Sequence, residues 1–577
     1  MSDYGGEQRN PANSGGVIAP AGSACSLRMG LEDWAYLATF VVVNLILRLF
    51  LLRINEAEYT DGILQLTVFS NKAGLYPPLY GALARALRTI VSSEEQAGRV
   101  VSAVAASLAL IPIYLFTVRL SRPCAARFTA LFYTLCPLIL RWSIRVMTDS
   151  LFLALSAGAL FAFQKSYEAR REHRMADRYL AVASVLAACS ALTRYQGAFL
   201  ALFVFVQFVA LAVRLKTIPW RTLLLSAVWG LLPLWMMTHG FVHQAQFTQR
   251  TTGQWISTLL AWLNLGESFV LIFPYYLGWP IFFFALAGLA RVDWGTPERR
   301  FFLVTWSAWA FIILVLQSMF GSFQYRYMMP IFPAAIALAG AGASWLEWRL
   351  IARRRGWIFS VLLICSLSYL VLFSSAVLIF QRKSFGDQKA AAEFVRKNIP
   401  PASRVLANER YGDFFSLGCV KLSYWSHRPV EPIFSYLPER PGQPLPKIIP
   451  PGSHVVLGNV YGGDEFVDYL TAILTYYYHM RYVASFDATV YPLMDDVMVN
   501  PIFNQNPLAW VMRYTPQLFS THIYIVDGIR TSEELGKLRE RQLPIPVPPG
   551  TDKSDSDPTQ RTRSSTSNTH SSMQTKP

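Results

Sequence analysis

Four stretches of this 577-residue chain set acids and arginines beside long apolar runs, where such groups are rare. Asn55, Glu56, Glu58 and Asp61 follow the first apolar run, and Tyr76-Pro77-Pro78-Leu79-Tyr80 comes soon after. Arg141, Arg145 and Asp149 are spaced i, i+4, i+8, which stacks them on one face if that stretch is helical. Arg194, Tyr195 and Gln196 form a third group, and Gln324, Tyr325, Arg326 and Tyr327 a fourth. A carboxylate can take the proton of a hydroxyl, and a guanidinium can bind phosphate in bidentate fashion. Ionisable groups at membrane depth are costly and mark functional sites by default. Gathered on one side of a membrane, these groups would serve a reaction between an anionic lipid and a neutral or anionic acceptor. Each also has a plainer reading. Arg145 and Asp149 could be an ion pair at a helix end, Tyr195, Tyr325 and Tyr327 interfacial belt residues, and Glu58 a water-facing acid.

The elements that must position these groups are apolar. The chain is 53% hydrophobic and only 15% charged, with a mean hydropathy of +0.30. A soluble domain carries about 25% charged residues, so the composition excludes a purely soluble protein. The first apolar run, Trp34 to Leu52, follows about thirty polar residues with no small-residue cleavage site and reads as a retained signal anchor. Further runs that could span a bilayer lie at 99–118, 126–141, 147–164, 179–193, 197–213, 222–240, 270–290, 301–318, 328–346 and 357–380. Several fall short of the roughly 20 residues that a perpendicular helix needs.

The basic excess of +16, 52 Lys and Arg against 36 Asp and Glu, tests this arrangement. If eleven runs cross alternately from a cytoplasmic N-terminus, the inner loops collect Arg119, Arg122 and Arg127, then Lys165, Arg170, Arg171, Arg174 and Arg178, then Arg214, Lys216 and Arg221. Arg291, Arg299, Arg300, Arg349 and Arg353 to Arg355 continue the series, as the positive-inside rule requires. The excess is therefore a topology signal, and nucleic acid drops out as a partner. The outer side receives two long loops, 53–98 and 241–269, and everything after Phe380. Within the first loop, Ile63, Leu64 and Val68, then Leu79, Leu83 and Leu87, recur at helical spacing and predict helices lying along the membrane surface. After Phe380, a helix (Asp387 to Lys397), a strand (Arg404 to Ala407), a strand (His454 to Gly458), a helix (Glu465 to Met480) and strands near Ala484 and His522 predict a small α/β domain. The divisions expected are a polar N-terminus (1–32), a transmembrane domain (33–380), the α/β domain (381–540) and a disordered tail (541–577).

Four runs, in order, resemble the glycosyltransferase C superfamily: Tyr76-Pro77-Pro78-Leu79-Tyr80, Gln96-Ala97-Gly98-Arg99-Val100-Val101-Ser102-Ala103, Arg145-Val146-Met147-Thr148-Asp149-Ser150-Leu151-Phe152 and Leu192-Thr193-Arg194-Tyr195-Gln196-Gly197. Within it the chain is most similar to the family 39-like branch of dolichyl-phosphate-mannose protein mannosyltransferases and lipid A aminoarabinose transferases. The resemblance implies a multispanning α-helical membrane protein of about eleven transmembrane helices with a small extracytoplasmic α/β domain. It also implies a polyprenyl-phosphate sugar donor and an acidic residue of the first outer loop acting on the acceptor. Glu56 then takes the second position of the usual Asp-Glu pair, and Asn55 stands where Asp is expected. An amide is no general base, so either Glu56 or Asp61 takes that role or the protein is not a transferase of the usual kind. Arg145, Arg194 and Arg326 are the candidate phosphate clamps. Asp149 would orient one of them or assist the acceptor, and Asn55, Tyr76, Tyr80, Gln196 and Tyr327 would line the substrate site. The acceptor class, protein, lipid or glycan, stays open.

Other features carry less. The cysteines have neither a disulfide framework nor metal-ligand spacing, so no cofactor is expected, while a divalent metal stays open. Gly462-Gly463-Asp464-Glu465-Phe466 spells the diguanylate cyclase signature, but the expected reading is a glycine turn with Asp464 capping a helix. Asp495 and Asp496 read as solvated acids. The absence of an Asn-x-Ser/Thr sequon leans toward a bacterial plasma (inner) membrane, with a cytoplasmic N-terminus. The alternative function is a non-catalytic lipid-binding, scaffolding or transport protein of the same fold.

Overall fold

The computed structural model describes residues 29–67, 76–169, 173–216, 220, 224, 273–320, 325–408, 419–438, 443–460, 463–491 and 516–540. Helices dominate up to residue 381. They are α1 (Leu31–Leu51), α2 (Thr60–Leu66), α3 (Leu79–Leu87), α4 (Glu94–Leu120), α5 (Pro123–Leu135), α6 (Pro137–Trp142), α7 (Asp149–Glu168), α8 (His173–Ala191), α9 (Leu200–Leu215), α10 (Trp279–Arg291), α11 (Pro297–Phe320), α12 (Phe332–Ala352) and α13 (Gly356–Gln381). Short 3-10 turns at Tyr195–Phe199 and Tyr325–Ile331 lead into α9 and α12. Among the described residues five stretches are long and apolar enough to cross a membrane: Leu31–Leu51, Glu94–Leu120, Tyr195–Arg214, Arg326–Ala352 and Gly356–Asn398. The expected run 222–240, the loop 241–269 and the tail from 541 lie outside the described residues.

The central helix α4 packs against α1, α3, α5, α7 and α12. Ser93 caps its start by accepting the Gln96 amide, and Glu94 and Glu95 occupy its first turn, where acids suit the helix dipole. Helices α10 and α12 meet backbone to backbone. A Cβ on Gly288 would lie 1.9 Å from the Leu338 carbonyl oxygen, and one on Gly342 would lie 2.0 Å from that of Phe284. Only glycine permits that approach, as is common between membrane helices.

Two expectations are corrected. The run 126–141 is not one helix, because Pro137 lacks an amide to continue it, and Cys136 turns extended between α5 and α6. Helix α2 does not lie on a surface: Thr60 through Gln65 are all buried.

After α13 the chain forms an α/β module. It contains α14 (Gly386–Asn398), β1 (Val405–Ala407), α15 (Val420–Ser426), β2 (Glu431–Pro432), β3 (His454–Gly458), α16 (Gly463–Tyr477), β4 (Tyr478–Val490), β5 (Gln517–Ile529) and α17 (Ser532–Glu540). Strand order is β2-β1-β3-β5-β4, with β1 parallel to β2 and β3, and β5 antiparallel to β3 and β4. Strand β3 is buried along its whole length and shares a core with Leu470 and Leu474 of α16. On the other side α14 lays Phe394 against Phe486 of β4, and Pro400-Pro401 follow its end. The module docks on the helices through α15, which packs against α2.

Candidate active site

The two ends of the helical bundle carry different charges. At one end Arg127 of α5 reaches Asp33 of α1 at 3.3 Å, and Arg119 of α4 reaches Glu168 of α7 at 3.7 Å. Arg291 and Arg349 stack on Trp345 there. At the other end α1, α6, α8 and α11 finish.

Four charged side chains alternate at that second end. Asp61, in the first turn of α2, pairs with Arg326 of the turn before α12. Arg326 lies 4.0 Å from Asp149, which opens α7, and Asp149 accepts a hydrogen bond from Arg194 Nη1 at 2.6 Å. Asp61, Asp149 and Arg326 are buried, and Arg194 is partly open. Tyr327 holds the two arginines, with its ring centre 4.6 Å from Arg194 Cζ and 5.2 Å from Arg326 Cζ. Tyr76 donates to Asp61 at 3.1 Å, and Gln196 accepts from Arg194 Nε at 3.4 Å. Asp149 Oδ2 makes no hydrogen bond among the described residues. The array offers two guanidinium groups from separate loops, two carboxylates and an open side at Arg194.

Other expected residues stand elsewhere. The i, i+4, i+8 stack fails because α6 ends at Trp142 and α7 begins at Asp149, with a non-helical turn between. Arg145 therefore does not meet Asp149. It is buried over the Tyr59 ring at 4.7 Å and donates to the Ala57 and Gln381 carbonyls at 3.3 and 3.0 Å. Glu56 is exposed, and its Oε2 would lie 3.0 Å from a Cβ on Gly386. Asn55 is buried and donates to the Ile144 carbonyl at 3.3 Å, a bond that an ionised Asp could not make. Tyr80 is fully buried against α4; its hydroxyl donates to the Gly98 carbonyl at 2.8 Å, and burial pushes the phenol pKa up. Glu58 does not face water. It is fully buried and pairs with Arg99 Nε at 2.5 Å.

Several partners escaped the sequence reading. Thr148 accepts from Arg194 at 3.4 Å and is itself held by Gln65, whose Oε1 takes the Thr148 amide at 3.1 Å. Trp142 lies under Arg326 with its ring centre at 5.1 Å, and Met147 Sδ is 3.0 Å from Arg326 Nη1. The one available signal for Gln65 was a polar side chain next to the apolar Ile63 and Leu64. Among the described residues no group of three or more His, Cys, Asp or Glu gathers as a metal site. Asp464 lies in the first turn of α16 and accepts from Asn459 Nδ2 at 2.7 Å, and Gly463 has φ of +72°. Gly462, Asp495 and Asp496 lie outside the described residues.

A sequence family described as dolichyl-phosphate-mannose-protein mannosyltransferase matches residues 76–237. Arg145, Asp149 and Arg194 fall inside that match; Asn55, Glu56, Asp61 and Arg326 fall outside it. No curated protein matches in sequence. Among solved structures, ArnT from Cupriavidus metallidurans bound to undecaprenyl phosphate superposes with a TM-score of 0.50 at 14% identity, covering 79% of this chain and 97% of that one. The archaeal oligosaccharyltransferase AglB from Archaeoglobus fulgidus, in complex with an inhibitory peptide and a dolichol-phosphate, gives a TM-score of 0.50 at 13% identity, covering 79% of this chain and 74% of that one. The chain is thus an integral membrane protein with a glycosyltransferase C fold, and it resembles the branch of that superfamily formed by dolichyl-phosphate-mannose protein mannosyltransferases and ArnT.

Proposed function

We propose that the protein is a membrane glycosyltransferase that moves a sugar from a polyprenyl-phosphate carrier to an acceptor hydroxyl at the outer face of the membrane, with inversion. The observation that carries this reading is the alternating array Asp61, Arg326, Asp149, Arg194, assembled from four separate segments at one end of the bundle. Without ligand, the two carboxylates neutralise the two guanidinium groups. An arriving lipid phosphate competes for Arg194 and Arg326 and frees Asp61 to turn to the acceptor. The acceptor oxygen then attacks the anomeric carbon while its proton passes to the Asp61 carboxylate. The bond from that carbon to the phosphate oxygen breaks, and the electron pair leaves on the polyprenyl phosphate. The arginines stabilise the charge that grows on that leaving group. Asp149 keeps both guanidinium groups aimed, and Tyr76 orients Asp61.

Asp61 is assigned the base role that the sequence leaves open between Glu56 and Asp61, because it sits in the array and Glu56 does not. Arg145 becomes a scaffold of the Tyr59 loop and leaves the phosphate clamp. The reading places the array and the α/β module on the extracytoplasmic side of a plasma membrane, with the N-terminus inside. A reporter fused after residue 540 would give an outside signal. In proteoliposomes with an undecaprenyl-phosphate sugar donor, Asp61→Asn should lower transfer by about 10²- to 10⁴-fold while Glu56→Gln retains it. Retained activity in Asp61→Asn would remove Asp61 from the mechanism.

The Asn55 amide, bonded to Ile144, favours a second reading, a non-catalytic lipid-binding or transport protein. That protein would bind undecaprenyl phosphate and consume no sugar donor.

A further inference from the structure

The pair Glu58 and Arg99 stands outside the array but adjoins both of its halves. Glu58 Oε1 accepts from Arg99 Nε at 2.5 Å, and Glu58 Oε2 accepts the Val146 amide at 3.1 Å. Arg99 Nη1 donates to the Leu52 carbonyl at 2.8 Å. One buried ion pair therefore ties the end of α1, the loop of residues 53–59, the second turn of α4 and the turn between α6 and α7. Asp61 follows Glu58 by three residues, and Asp149 follows Val146 by three. Both carboxylates of the array hang from this node.

The node is braced from the α/β module. Arg99 Nη2 lies 3.8 Å from Glu95, one turn earlier on α4. Glu95 Oε1 accepts from Trp425 Nε1 of α15 at 2.6 Å, and Glu95 Oε2 pairs with Lys389 of α14 at 3.0 Å. Tyr424 donates to the neighbouring Glu94 at 3.4 Å. A second brace runs through Phe385, whose ring meets Tyr59 edge-on at 5.2 Å and carries Lys421 Nζ of α15 at 3.5 Å from its centre. Glu56 contributes a backbone tie, its amide donating to the Arg382 carbonyl at 2.9 Å.

We infer that Glu58 and Arg99 are positioning residues for the array and that the α/β module sets the register of the Asp61 loop through Glu95, Trp425 and Lys389. The module is then a working part of the site, and displacing α15, for instance by an acceptor bound on the module, would move Asp61 relative to Arg326. The inference rests on the proposed function only where it speaks of transfer; the mechanical coupling stands without it.

The test uses the full-length protein in nanodiscs and two readouts. Amide hydrogen exchange over residues 56–67 reports the loop directly. Transfer from an undecaprenyl-phosphate sugar reports chemistry, separated into kcat and KM. Trp425→Phe and Glu95→Ala should raise exchange in 56–67 about tenfold, with Glu95→Gln milder because it still accepts from Trp425. Glu58→Gln should do the same and lower kcat about 100-fold at nearly unchanged donor KM, the size expected for a misplacement near 1 Å. Arg127→Gln, at the other end of the bundle, should leave that exchange unchanged. Unchanged exchange in Trp425→Phe and Glu95→Ala would overturn the coupling. Raised exchange in a protein that transfers no sugar would uphold the coupling and defeat the glycosyltransferase reading instead.

Discussion

The two ends of the bundle spend charge differently. At the end that carries Arg127 and Arg119, Arg127 meets Asp33 and the Tyr36 ring, Arg119 meets Glu168, and those two arginines are 38% and 37% exposed along their side chains. Such pairs contribute little, about 0 to 1 kcal/mol each, and belong to the series that the positive-inside rule assigns to topology. At the other end Asp61, Asp149 and Arg326 are withdrawn from solvent, where an unpaired charge costs several kcal/mol. A protein that needed charge only for topology would not bury three of them together. The difference teaches that burial and alternation, rather than the number of charges, mark the candidate site.

The strongest way to break that contrast is to remove one member of the array. Asp61→Asn should lower transfer by about 10²- to 10⁴-fold, the usual range for a lost proton acceptor, as read in a reconstituted donor assay. Arg326→Met or Arg194→Met should weaken undecaprenyl phosphate binding by about 2–5 kcal/mol in a titration, the range for truncating one side of a buried charge pair. Gly62→Ala is a packing version of the same test. Its new Cβ would lie 2.4 Å from the Val146 carbonyl oxygen, so α2 must move off the turn that leads to Asp149. Thermal denaturation should show a loss of about 1–3 kcal/mol, the range for an overpacked site. Arg127→Gln, at the opposite end, should change stability by less than about 1 kcal/mol and leave lipid phosphate binding intact. The smallest effect belongs to the module. Burial, with Arg428 nearby, holds the His454 pKa below its ordinary 6.5. The unfolded chain therefore binds the proton first, and the module should lose stability as pH falls below about 6.5, a slope that His454→Gln flattens.

Much of the bundle was legible because apolar runs are long and charges within them are rare. Among the described residues the ten expected runs that can be compared are helical, 126–141 as two helices, and the gathering of Asp61, Asp149, Arg194 and Arg326 at one end of the bundle agrees with counting crossings. What sequence could not supply was pairing. Arg145 and Asp149 look like partners at i, i+4 only while the turn after Trp142 goes unseen, and Asp149 instead meets arginines 45 and 177 residues away. Glu58 looks solvated because its partner, Arg99, lies 41 residues on. Helix α2 looks amphipathic because Asp61 and Gln65 are polar, yet those side chains face a buried site rather than water. In the module, β3 and α14 announced themselves by apolar spacing; β2, at two residues, and α15, at seven, were too short to do so. The expected helix to Met480 stops at Tyr477, because Tyr478 joins β4 in pairing with β5.

The most direct measurement is an experimental structure of the full-length protein with undecaprenyl phosphate bound in a nanodisc. The account expects the phosphate oxygens about 2.7–2.9 Å from guanidinium nitrogens of both Arg194 and Arg326, with the contact between Asp61 and Arg326 opened. A phosphate seated elsewhere, with that contact still closed, would contradict it.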